Sequence, residues 1–162
     1  MNKISKLNPL ISIVLPTYNS ERYISNTIKS IINQDYTNWE LIITDDCSTD
    51  NTYSIINEYS KSDFRIKIFK LKKNSGAAIA RNNSLRYCLS KYIAFIDSDD
   101  TWIKKKLKLQ IDFMKKNNIP ISFTSYKLID ESGKYLNKTI KAIKKINYDG
   151  YLKNTIIGMS TS

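Results

Sequence analysis

Short apolar segments alternate four times with amphipathic segments along most of this chain. Four segments have the length and composition of β-strands: LISIVLP at 10–16, WELIITDD at 39–46, IKIFKL at 66–71 and YIAFID at 92–97. Between and after them, apolar residues recur at helical spacing. Strands that alternate with helices in this way form right-handed βαβ units. The sequence therefore predicts an α/β fold with a mostly parallel central sheet and helices on both faces.

The ends of these elements are predicted from capping residues and prolines. Four helices are predicted. The first covers residues 20–34, the second begins after a cap at Ser48 or Thr49, the third covers residues 76–89, and the fourth runs from Ile103 through Met114. Within the sheet, Pro16 should end the first strand because it has no amide proton to donate to a ladder. The continuous apolar runs at 10–15 and 92–96 indicate inner strands, and the alternating run at 66–71 indicates an edge strand.

The pattern is weaker after these units. Residues 121–130, ISFTSYKLID, predict a fifth strand, and KYLN at 134–137 predicts a short hairpin partner after a turn at ESGK. The segment YDGYLKNTI at 148–156 fits no single element. There is no internal repeat and no long linker, so we expect the 162 residues to form one domain, 1–162.

The chain is strongly basic, with a formal net charge of +11 and a pI of about 9.5. Such a charge suits nucleic acid, an anionic membrane surface or a phosphorylated ligand, and it also suits a lysine-rich surface with no specific partner. Because there is no histidine, Ser-His and Cys-His nucleophilic schemes and histidine-ligated metals are excluded. The two cysteines, Cys47 and Cys88, are too few for a disulfide framework or a zinc site.

The sequence gives no indication of export or of membrane insertion. Residues 1–9 lack the apolar core of a signal peptide, and no apolar run approaches the roughly 20 residues that span a bilayer. We therefore expect a cytoplasmic protein in a reducing environment.

Polar clusters follow three of the four predicted strands. PTYNSE at 16–21, DDCSTD at 45–50 and DSDD at 97–100 each begin where a strand ends. Taken alone, either of the first two could be a turn with a helix cap. Parallel strands bring their carboxyl ends to one edge of the sheet, and in open α/β folds this edge carries the ligand crevice. The three clusters together therefore predict a binding site.

The DSDD cluster needs a further explanation, because a helix cap uses one aspartate and not three. Carboxylates this close repel one another unless a positive group lies among them. Hard divalent cations such as Mg²⁺ and Mn²⁺ take oxygen ligands and commonly join one or two carboxylates to a substrate phosphate. A metal that binds a phosphate therefore competes with the simpler interpretation, a solvated acidic turn.

Four enzyme classes are candidates for a metal and phosphate site in an α/β fold. A P-loop kinase would need G-x-x-x-x-G-K-[ST], which is absent, and a Rossmann dehydrogenase would need G-x-G-x-x-G after the first strand. A haloacid-dehalogenase-like phosphatase has a D-x-D-x-T loop similar to FIDSDDT, but after its first core strand and not its fourth. A nucleotide-sugar transferase has a D-x-D late in its nucleotide-binding half, which is the position found in this chain.

Three blocks of the sequence are informative together. They are SIVLPTYNSERYISNTIKSIINQDYTNWELIITDDCSTDNT at 12–52, NSGAAIARNNSL at 74–85 and FIDSDDTW at 95–102. In this order and spacing they resemble the GT-A-fold, family 2 inverting glycosyltransferases of bacterial polysaccharide synthesis. The resemblance implies a Rossmann-like, three-layer GT-A fold, with a nucleotide-binding half at 10–100 and the start of an acceptor half at 101–162.

By position, the resemblance implies the residues that bind a nucleotide-sugar: Pro16, Thr17, Tyr18, Asn19, Glu21, Asp45, Asp46, Arg81, Asp97 and Ser98. Tyr18 would pack near the base or ribose. Asp45 would form a hydrogen bond with the base, which is usually uracil in this family, and Asp46 would support the loop. Arg81 would face the diphosphate or orient the aspartates.

The resemblance also implies a metal and a reaction. Mn²⁺ or Mg²⁺ would be held by Asp99, with Asp97 and Asp100 beside it, and would neutralise the diphosphate leaving group of a UDP-sugar. An acceptor hydroxyl on a glycan or lipid-linked glycan would attack the anomeric carbon with inversion, after a carboxylate base removes its proton. In the family that base lies in an ED-like block. Because no acidic residue follows Asp149, we expect a truncated chain, a base beyond Ser162, and weak or no transfer by these residues alone.

Two other functions remain open at this point. A non-catalytic module or inactive fragment would bind a nucleotide-sugar without transfer, and a basic surface protein would bind nucleic acid. Nucleic acid is not expected as a partner, because aromatic and basic residues are not interleaved in one patch. The lysines of IKKKLKLQ (103–110) and IKAIKKI (140–146) could instead rest on an anionic membrane. The protein would then lie peripherally at the inner face of the plasma membrane.

Overall fold

The structure, a computed structural model, describes residues 8–130, 132–143 and 159–162. The chain divides into two compact units, the first up to Lys108 and the second from Leu109 to Ser162. The elements of the first unit are β1 (Ile11–Thr17), α1 (Ile24–Ile32), β2 (Trp39–Asp45), α2 (Thr52–Ser62), β3 (Ile66–Lys70), α3 (Ala77–Leu85) and β4 (Tyr92–Phe95). Helix α4 (Lys106–Asn117) begins in the first unit and ends in the second. The second unit also contains β5 (Tyr126–Ile129), β6 (Tyr135–Ile140) and a 3₁₀ turn (Met159–Thr161).

The first unit contains a four-stranded parallel sheet in the order β3-β2-β1-β4. Every residue of β1 and of β2 is buried, as expected for strands that are covered on both faces. Right-handed connections place α1 and α2 on one face of such a sheet and α3 on the other. The predicted α/β class with a mostly parallel central sheet is therefore confirmed.

Pro16 does not end the first strand, so that prediction is wrong. The residue lies inside β1, and the strand continues to Thr17. The Val14 carbonyl accepts a hydrogen bond from the amide of Ile96, so the backbone N and C=O groups of Val14 point toward β4. Those of Pro16, two residues later, point the same way. The ladder to β4 has already ended there, at the pair of Val14 with Phe95. The missing amide proton of Pro16 therefore breaks no bond of that ladder.

The three predictions of strand position have different outcomes. β1 lies between β2 and β4, so the inner position predicted for 10–15 is confirmed. β3 lies at one edge of the sheet, as its alternating sequence predicts. β4 lies at the other edge of the sheet that the described residues form, so within that sheet 92–96 is not an inner strand as predicted. An apolar run does not by itself distinguish an inner strand from an edge strand, and in β4 only Ala94 is buried.

The bounds of the helices differ from the predicted ones. α4 has the predicted length but begins at Lys106 and ends at Asn117, three residues later at each end. α1 begins at Ile24 and not at residue 20, because residues 20–23 form a separate turn. α2 begins beyond both predicted caps, Ser48 and Thr49. α3 ends at Leu85, several residues before the predicted end. After α3 the apolar residues continue to Leu89, but the backbone does not remain helical.

In the second unit, β5 pairs antiparallel with β6, and Gly133 lies in the turn between them with a φ of +83°. The predicted hairpin partner is confirmed and is longer than KYLN. The predicted strand over 121–130 is too long, because among the described residues only Tyr126–Ile129 pairs with another strand. The segment 148–156 lies outside the described residues.

A buried carboxylate joins three strands of the parallel sheet. Glu40 on β2 is 5% exposed and accepts hydrogen bonds from the Ser12 hydroxyl (2.5 Å), the Lys67 ammonium (2.9 Å) and the Leu89 backbone amide (2.8 Å). Burial by itself raises the pKa of Glu40, but the bonds from Ser12, Leu89 and Lys67 outweigh burial and lower the pKa below its usual value. The charged carboxylate therefore stabilises the fold.

Glu40→Gln should lower the free energy of unfolding at pH 7 by about 1–3 kcal/mol, because the amide keeps the shape but loses the charge that pairs with Lys67. A carboxylate with a lowered pKa stabilises the fold above the unfolded-state value near 4.5, and this contribution is lost as the pH falls through the folded-state pKa. The difference between wild type and variant should therefore shrink below pH 4.5. Urea unfolding at neutral and acid pH measures both effects.

Glu58→Gln, which changes an exposed glutamate of α2, is the matched control and should alter stability by less than about 0.5 kcal/mol. Equal losses in the two variants would contradict the role given to Glu40. A loss in Glu40→Gln that stays constant with pH would contradict the contribution of its charge.

Candidate functional site

A cavity of about 190 Å³ lies in the first unit, outside the carboxyl ends of β1 and β4. The strand order reverses between these two strands, since β2 and β3 continue on one side of β1 and β4 lies on the other. Open α/β sheets bind ligands at such a reversal, where the connecting loops diverge. The cavity is lined by Pro16, Thr17, Tyr18, Asp46, Ala77, Ala80, Arg81, Asp97 and Ser98.

The cavity brings together some of the predicted site residues and not others. From the prediction it includes Pro16, Thr17, Tyr18, Asp46, Arg81, Asp97 and Ser98, and it does not include Asn19, Glu21, Asp45, Asp99 and Asp100. Two lining residues, Ala77 and Ala80, were missed. The run of small residues at the start of α3 is the signal that could have identified them, because small side chains leave room for a ligand beside a helix.

Thr17 and Tyr18 offer two kinds of contact to the cavity. Thr17 is 3% exposed, and among the described residues its Oγ1 has no hydrogen-bond partner. An unsatisfied buried hydroxyl costs about 1–3 kcal/mol, which a ligand atom within bonding range would offset. Tyr18 follows in sequence, is 44% exposed and contributes to the lining. The pair therefore combines a polar contact with an accessible aromatic ring.

Asp46 holds the loop that leads into α3. Its carboxylate accepts hydrogen bonds from the backbone amides of Ser75 and Gly76, each at 2.7 Å, and the residue is 2% exposed. Gly76 has a φ of +91°, which residues with a side chain rarely adopt, so the turn into α3 favours glycine. Asp46 therefore fixes the amino terminus of α3 beside the cavity.

Asp45, the preceding residue, is not part of the cavity lining. It is fully buried, accepts hydrogen bonds from the backbone amide (3.1 Å) and hydroxyl of Ser48, and lies 3.9 Å from the Lys70 ammonium. These contacts stabilise the loop after β2. Contact between Asp45 and a base stays a prediction, whereas the cavity presents Asp46.

Asn19 and Glu21 join the loop after β1 to the loop after β2. Asn19 accepts a backbone amide of the second loop at 2.9 Å, and Glu21 accepts both the backbone and the side-chain amide of Asn51, each at 2.9 Å. Asp50 in turn accepts the Glu21 backbone amide at 3.1 Å. Burial raises the pKa of Asp50, but bonds from Thr52 and Glu21 outweigh burial and lower it. Asn19 and Glu21 therefore order the rim without lining the cavity.

Arg81 of α3 and Asp97, which follows β4, form an ion pair through Nη2 of the arginine and one carboxylate oxygen. The Arg81 Nε is buried and has no hydrogen-bond partner in the described part of the chain. A guanidinium carries five N–H donors in a planar fork, so Arg81 can hold Asp97 and still donate to a phosphate. This geometry is consistent with both roles that the resemblance implies for Arg81.

Asp99 and Asp100 follow the cavity-lining Ser98 and are exposed. Across residues 8–130, 132–143 and 159–162, no three His, Cys, Asp or Glu side chains are grouped so that they could hold a metal ion by themselves. Mg²⁺ and Mn²⁺ are commonly held by one or two carboxylates, with water and phosphate oxygens as the remaining ligands. The oxygen donors of this loop fit such an ion.

Lys106 is a buried lysine close in sequence to these aspartates. It is 6% exposed, its Nζ lies 4.9 Å from the centroid of the Trp102 ring, and burial lowers its pKa to about 7. Sequence reasoning missed this residue. Lys104 and Lys105 beside it belong to the same run of lysines but are exposed, so the run gives no signal that distinguishes the third.

A model of the family described as glycosyl transferase family 2 matches residues 12–159 of this chain. The curated relatives include TuaG of Bacillus subtilis, a glycosyltransferase whose name refers to teichuronic acid biosynthesis, which is 47% identical over 153 residues. They also include WfgD of Escherichia coli, named as a UDP-Glc:alpha-D-GlcNAc-diphosphoundecaprenol beta-1,3-glucosyltransferase, which is 44% identical over 155 residues. Each match covers 94% of this chain, but the chain spans only 61% and 58% of the two relatives.

Among solved structures, the chain is similar to residues 1–349 of S. aureus TarS in complex with UDP. The sequence identity is 35% and the TM-score is 0.63, and the match covers 67% of this chain and 32% of the TarS chain. The same part of TarS is also similar in its complex with UDP-GlcNAc. These comparisons agree with the resemblance that the three sequence blocks indicate.

Asp46→Asn should loosen the loop before α3, because a side-chain N–H would face a backbone donor where the carboxylate now accepts. We expect faster hydrogen exchange of the Ser75 and Gly76 amides, and a loss of about 1–3 kcal/mol in the free energy of unfolding. Exchange followed by NMR and urea unfolding measure the two effects. Lys73→Ala, an exposed position of the same loop, is the control and should change neither. Unchanged exchange in Asp46→Asn would show that the carboxylate does not hold this loop.

Proposed function

The chain belongs to glycosyl transferase family 2 and has the GT-A fold, and from that premise we propose that it binds a nucleotide-diphosphate sugar and transfers the sugar to an acceptor hydroxyl. The observation that carries the proposal is the cavity at the reversal of strand order, which brings Thr17, Asp46 and Arg81 together. The names of TuaG and WfgD support a role in the synthesis of a cell-surface polysaccharide.

The base is assigned to Thr17, Tyr18 and Asp46. The Tyr18 ring offers a flat apolar face for stacking, and the Thr17 hydroxyl can donate or accept a hydrogen bond. Each Asp46 oxygen accepts one backbone amide and keeps a lone pair for a further donor. Uracil has one N–H donor between two carbonyl acceptors, which suits a carboxylate and a hydroxyl, and TarS binds UDP. In this proposal Asp46, and not Asp45, forms the predicted hydrogen bond with the base.

The diphosphate is assigned to Arg81 and the start of α3. A helix amino terminus carries partial positive charge and unpaired amides, which favour phosphate, and the first turn of α3 contains no acidic residue. Arg81 adds a full positive charge one turn into the helix, and its Nε has an N–H to donate. On this assignment residues 10–100 form the nucleotide-binding half, and residues 101–162 begin the acceptor half.

The residues that would hold a divalent cation are Asp99, with Asp97 and Asp100 beside it. Mn²⁺ or Mg²⁺ bound there would act as a Lewis acid that neutralises the diphosphate leaving group. Arg81 contributes to the same end, because it orients Asp97 and can donate a hydrogen bond to the phosphate. The acceptor oxygen would bond to the anomeric carbon on the face opposite to the departing diphosphate, which inverts that carbon. We assign the base that takes the hydroxyl proton to no described residue.

Calorimetry with UDP tests this function. The wild-type chain should bind UDP, and Mn²⁺ should tighten binding by about tenfold or more, because a metal joins the aspartates to the phosphates. Asp99→Asn should lose the tightening by Mn²⁺ and keep the metal-independent part, whereas Glu58→Gln, a matched neutralisation on α2, should keep both. Absence of UDP binding, together with salt-sensitive binding to random DNA, would instead favour a nucleic-acid-binding protein.

We also propose that the protein contacts an anionic membrane through helix α4. Leu109 and Phe113 lie one turn apart on this helix and are 57% and 54% exposed. Lys115 and Lys116 follow and are exposed, so ammonium groups flank an apolar pair, as in helices that lie at a membrane surface. Contact at the inner face of the plasma membrane would bring the enzyme to a lipid-linked acceptor of the kind that WfgD is named for.

The described part of the chain contains no helix with the length and hydropathy to cross a membrane. Co-sedimentation with vesicles tests the surface contact. The chain should bind phosphatidylglycerol vesicles and not vesicles of phosphatidylcholine alone, because the attraction depends on lipid charge. Lys116→Glu should weaken binding at least about fivefold, and Lys29→Glu, the same charge change on α1, should not. Equal binding to the two kinds of vesicle would contradict the proposal.

A further inference from the structure

Three polar side chains interrupt the apolar face of α1 and of the short segment that follows it. Thr27, Ser30 and Gln34 lie three or four residues apart, so they share one side of the helix and its extension. Thr27 is completely buried and Gln34 is 4% exposed. Buried polar groups are costly unless they are bonded, so the partners of this polar stripe, defined as these three residues, show what it does.

Each residue of the polar stripe bonds to the backbone after β4. Thr27 Oγ1 donates to the Ser98 carbonyl (2.9 Å), and Ser30 Oγ accepts the Trp102 amide (3.1 Å). Gln34 Nε2 donates to the Ile103 carbonyl (2.8 Å), and its Oε1 accepts the amide of the first turn of α4 at residue 107 (3.1 Å). None of these backbone groups belongs to a strand, so no neighbouring strand satisfies them. The side chains of α1 and its extension form these hydrogen bonds instead.

These bonds lie on both sides of two exposed aspartates. We call residues 97–103 the acidic loop. Its backbone is held at Ser98 on one side of Asp99 and Asp100, and at Trp102 on the other. The Ser98 hydroxyl also shares a hydrogen bond of 2.7 Å with that of Ser20. The two carboxylates therefore project from a segment whose ends are fixed by bonds to side chains.

Arg81 holds the beginning of the same loop from α3, through its ion pair with Asp97. The acidic loop is thus held by α1 and α3, two helices that lie on opposite faces of the sheet. An acidic loop that served only to connect β4 with α4 would not require bonds from both helices. A loop whose carboxylates must keep their position toward a charged ligand would, because a small displacement of a charged group weakens its interaction with the ligand.

We propose that Thr27, Ser30 and Gln34 are positioning residues that hold the acidic loop so that Asp99 and Asp100 meet the cation and diphosphate of the donor. The inference rests on the proposed function for the identity of that ligand. It predicts that loss of a stripe bond weakens metal-dependent binding of a nucleotide diphosphate, while binding of the base and ribose, which uses Thr17 and other residues of the cavity, is preserved.

The first experiment needs no ligand. Hydrogen exchange of the Trp102 amide should become at least about tenfold faster in Ser30→Ala, while the amides of β1 and β2 keep their wild-type rates. Asn26→Ala, an exposed position of the same helix, is the control and should leave Trp102 unchanged. An unchanged Trp102 rate in Ser30→Ala would overturn the inference whether or not the chain binds a nucleotide.

The second experiment compares UDP with Mn²⁺ against UMP without metal by calorimetry. Thr27→Val removes the hydroxyl and keeps the shape, so it should bind UDP with Mn²⁺ about five- to tenfold more weakly and bind UMP within twofold of wild type. Thr27→Ser should restore the UDP affinity, because it restores the donor to Ser98. If Thr27→Val does not fold, Ser30→Ala, at a less buried position, gives the same comparison.

The outcomes separate this inference from the proposed function. Equal weakening of UDP and UMP in Thr27→Val would overturn the positioning role and leave the proposed function intact. A wild-type chain that binds neither nucleotide would contradict the proposed function, and with it the ligand assigned to the acidic loop, whatever the Trp102 exchange rate.

Discussion

The unequal length of the two ladders on β1 determines where the candidate site lies. The ladder to β2 runs from Ile11 to Thr17, whereas the ladder to β4 ends at Val14. The last residues of β1 therefore have a strand on one side only, and the cavity occupies the other side. Pro16 fits there because no amide proton is required of it. A β4 that continued alongside Thr17 would fill this space, and the polar loops would have no common cavity.

The same edge collects negative charge in a chain whose net charge is +11. Much of the negative charge at this edge is compensated within the protein, since Asp46 accepts hydrogen bonds from two backbone amides and Asp97 pairs with Arg81. Hydrogen bonds to the charged form and a nearby cation are what make clustered carboxylates stable. Asp99 and Asp100 remain exposed on the acidic loop, which is where the proposed cation would add its own compensation.

The parallel sheet and the edge where its polar loops meet could be predicted from the sequence, because both follow from local periodicity and from the handedness of βαβ units. The sequence could not show which of Asp45 and Asp46 lines the cavity. Adjacent residues at a strand end point to opposite faces of the sheet, so the answer depends on the exact residue at which the strand ends. It also could not distinguish Lys106 from the two lysines before it, because burial depends on packing between elements. Ala77 and Ala80 contribute to the cavity by leaving space for a ligand, and an alanine side chain has no functional group that would identify it as a site residue in the sequence.

We propose that the cavity between β1 and β4 recognises a nucleotide diphosphate. An NMR titration of the chain with UDP and Mg²⁺, a diamagnetic cation, tests it most directly because every backbone amide reports separately. We predict that the largest shift changes fall on Thr17, Asp46 and the first turns of α3, with smaller changes on the acidic loop. Changes confined to α4 or to the β5–β6 hairpin, or no changes at millimolar UDP, would contradict the account.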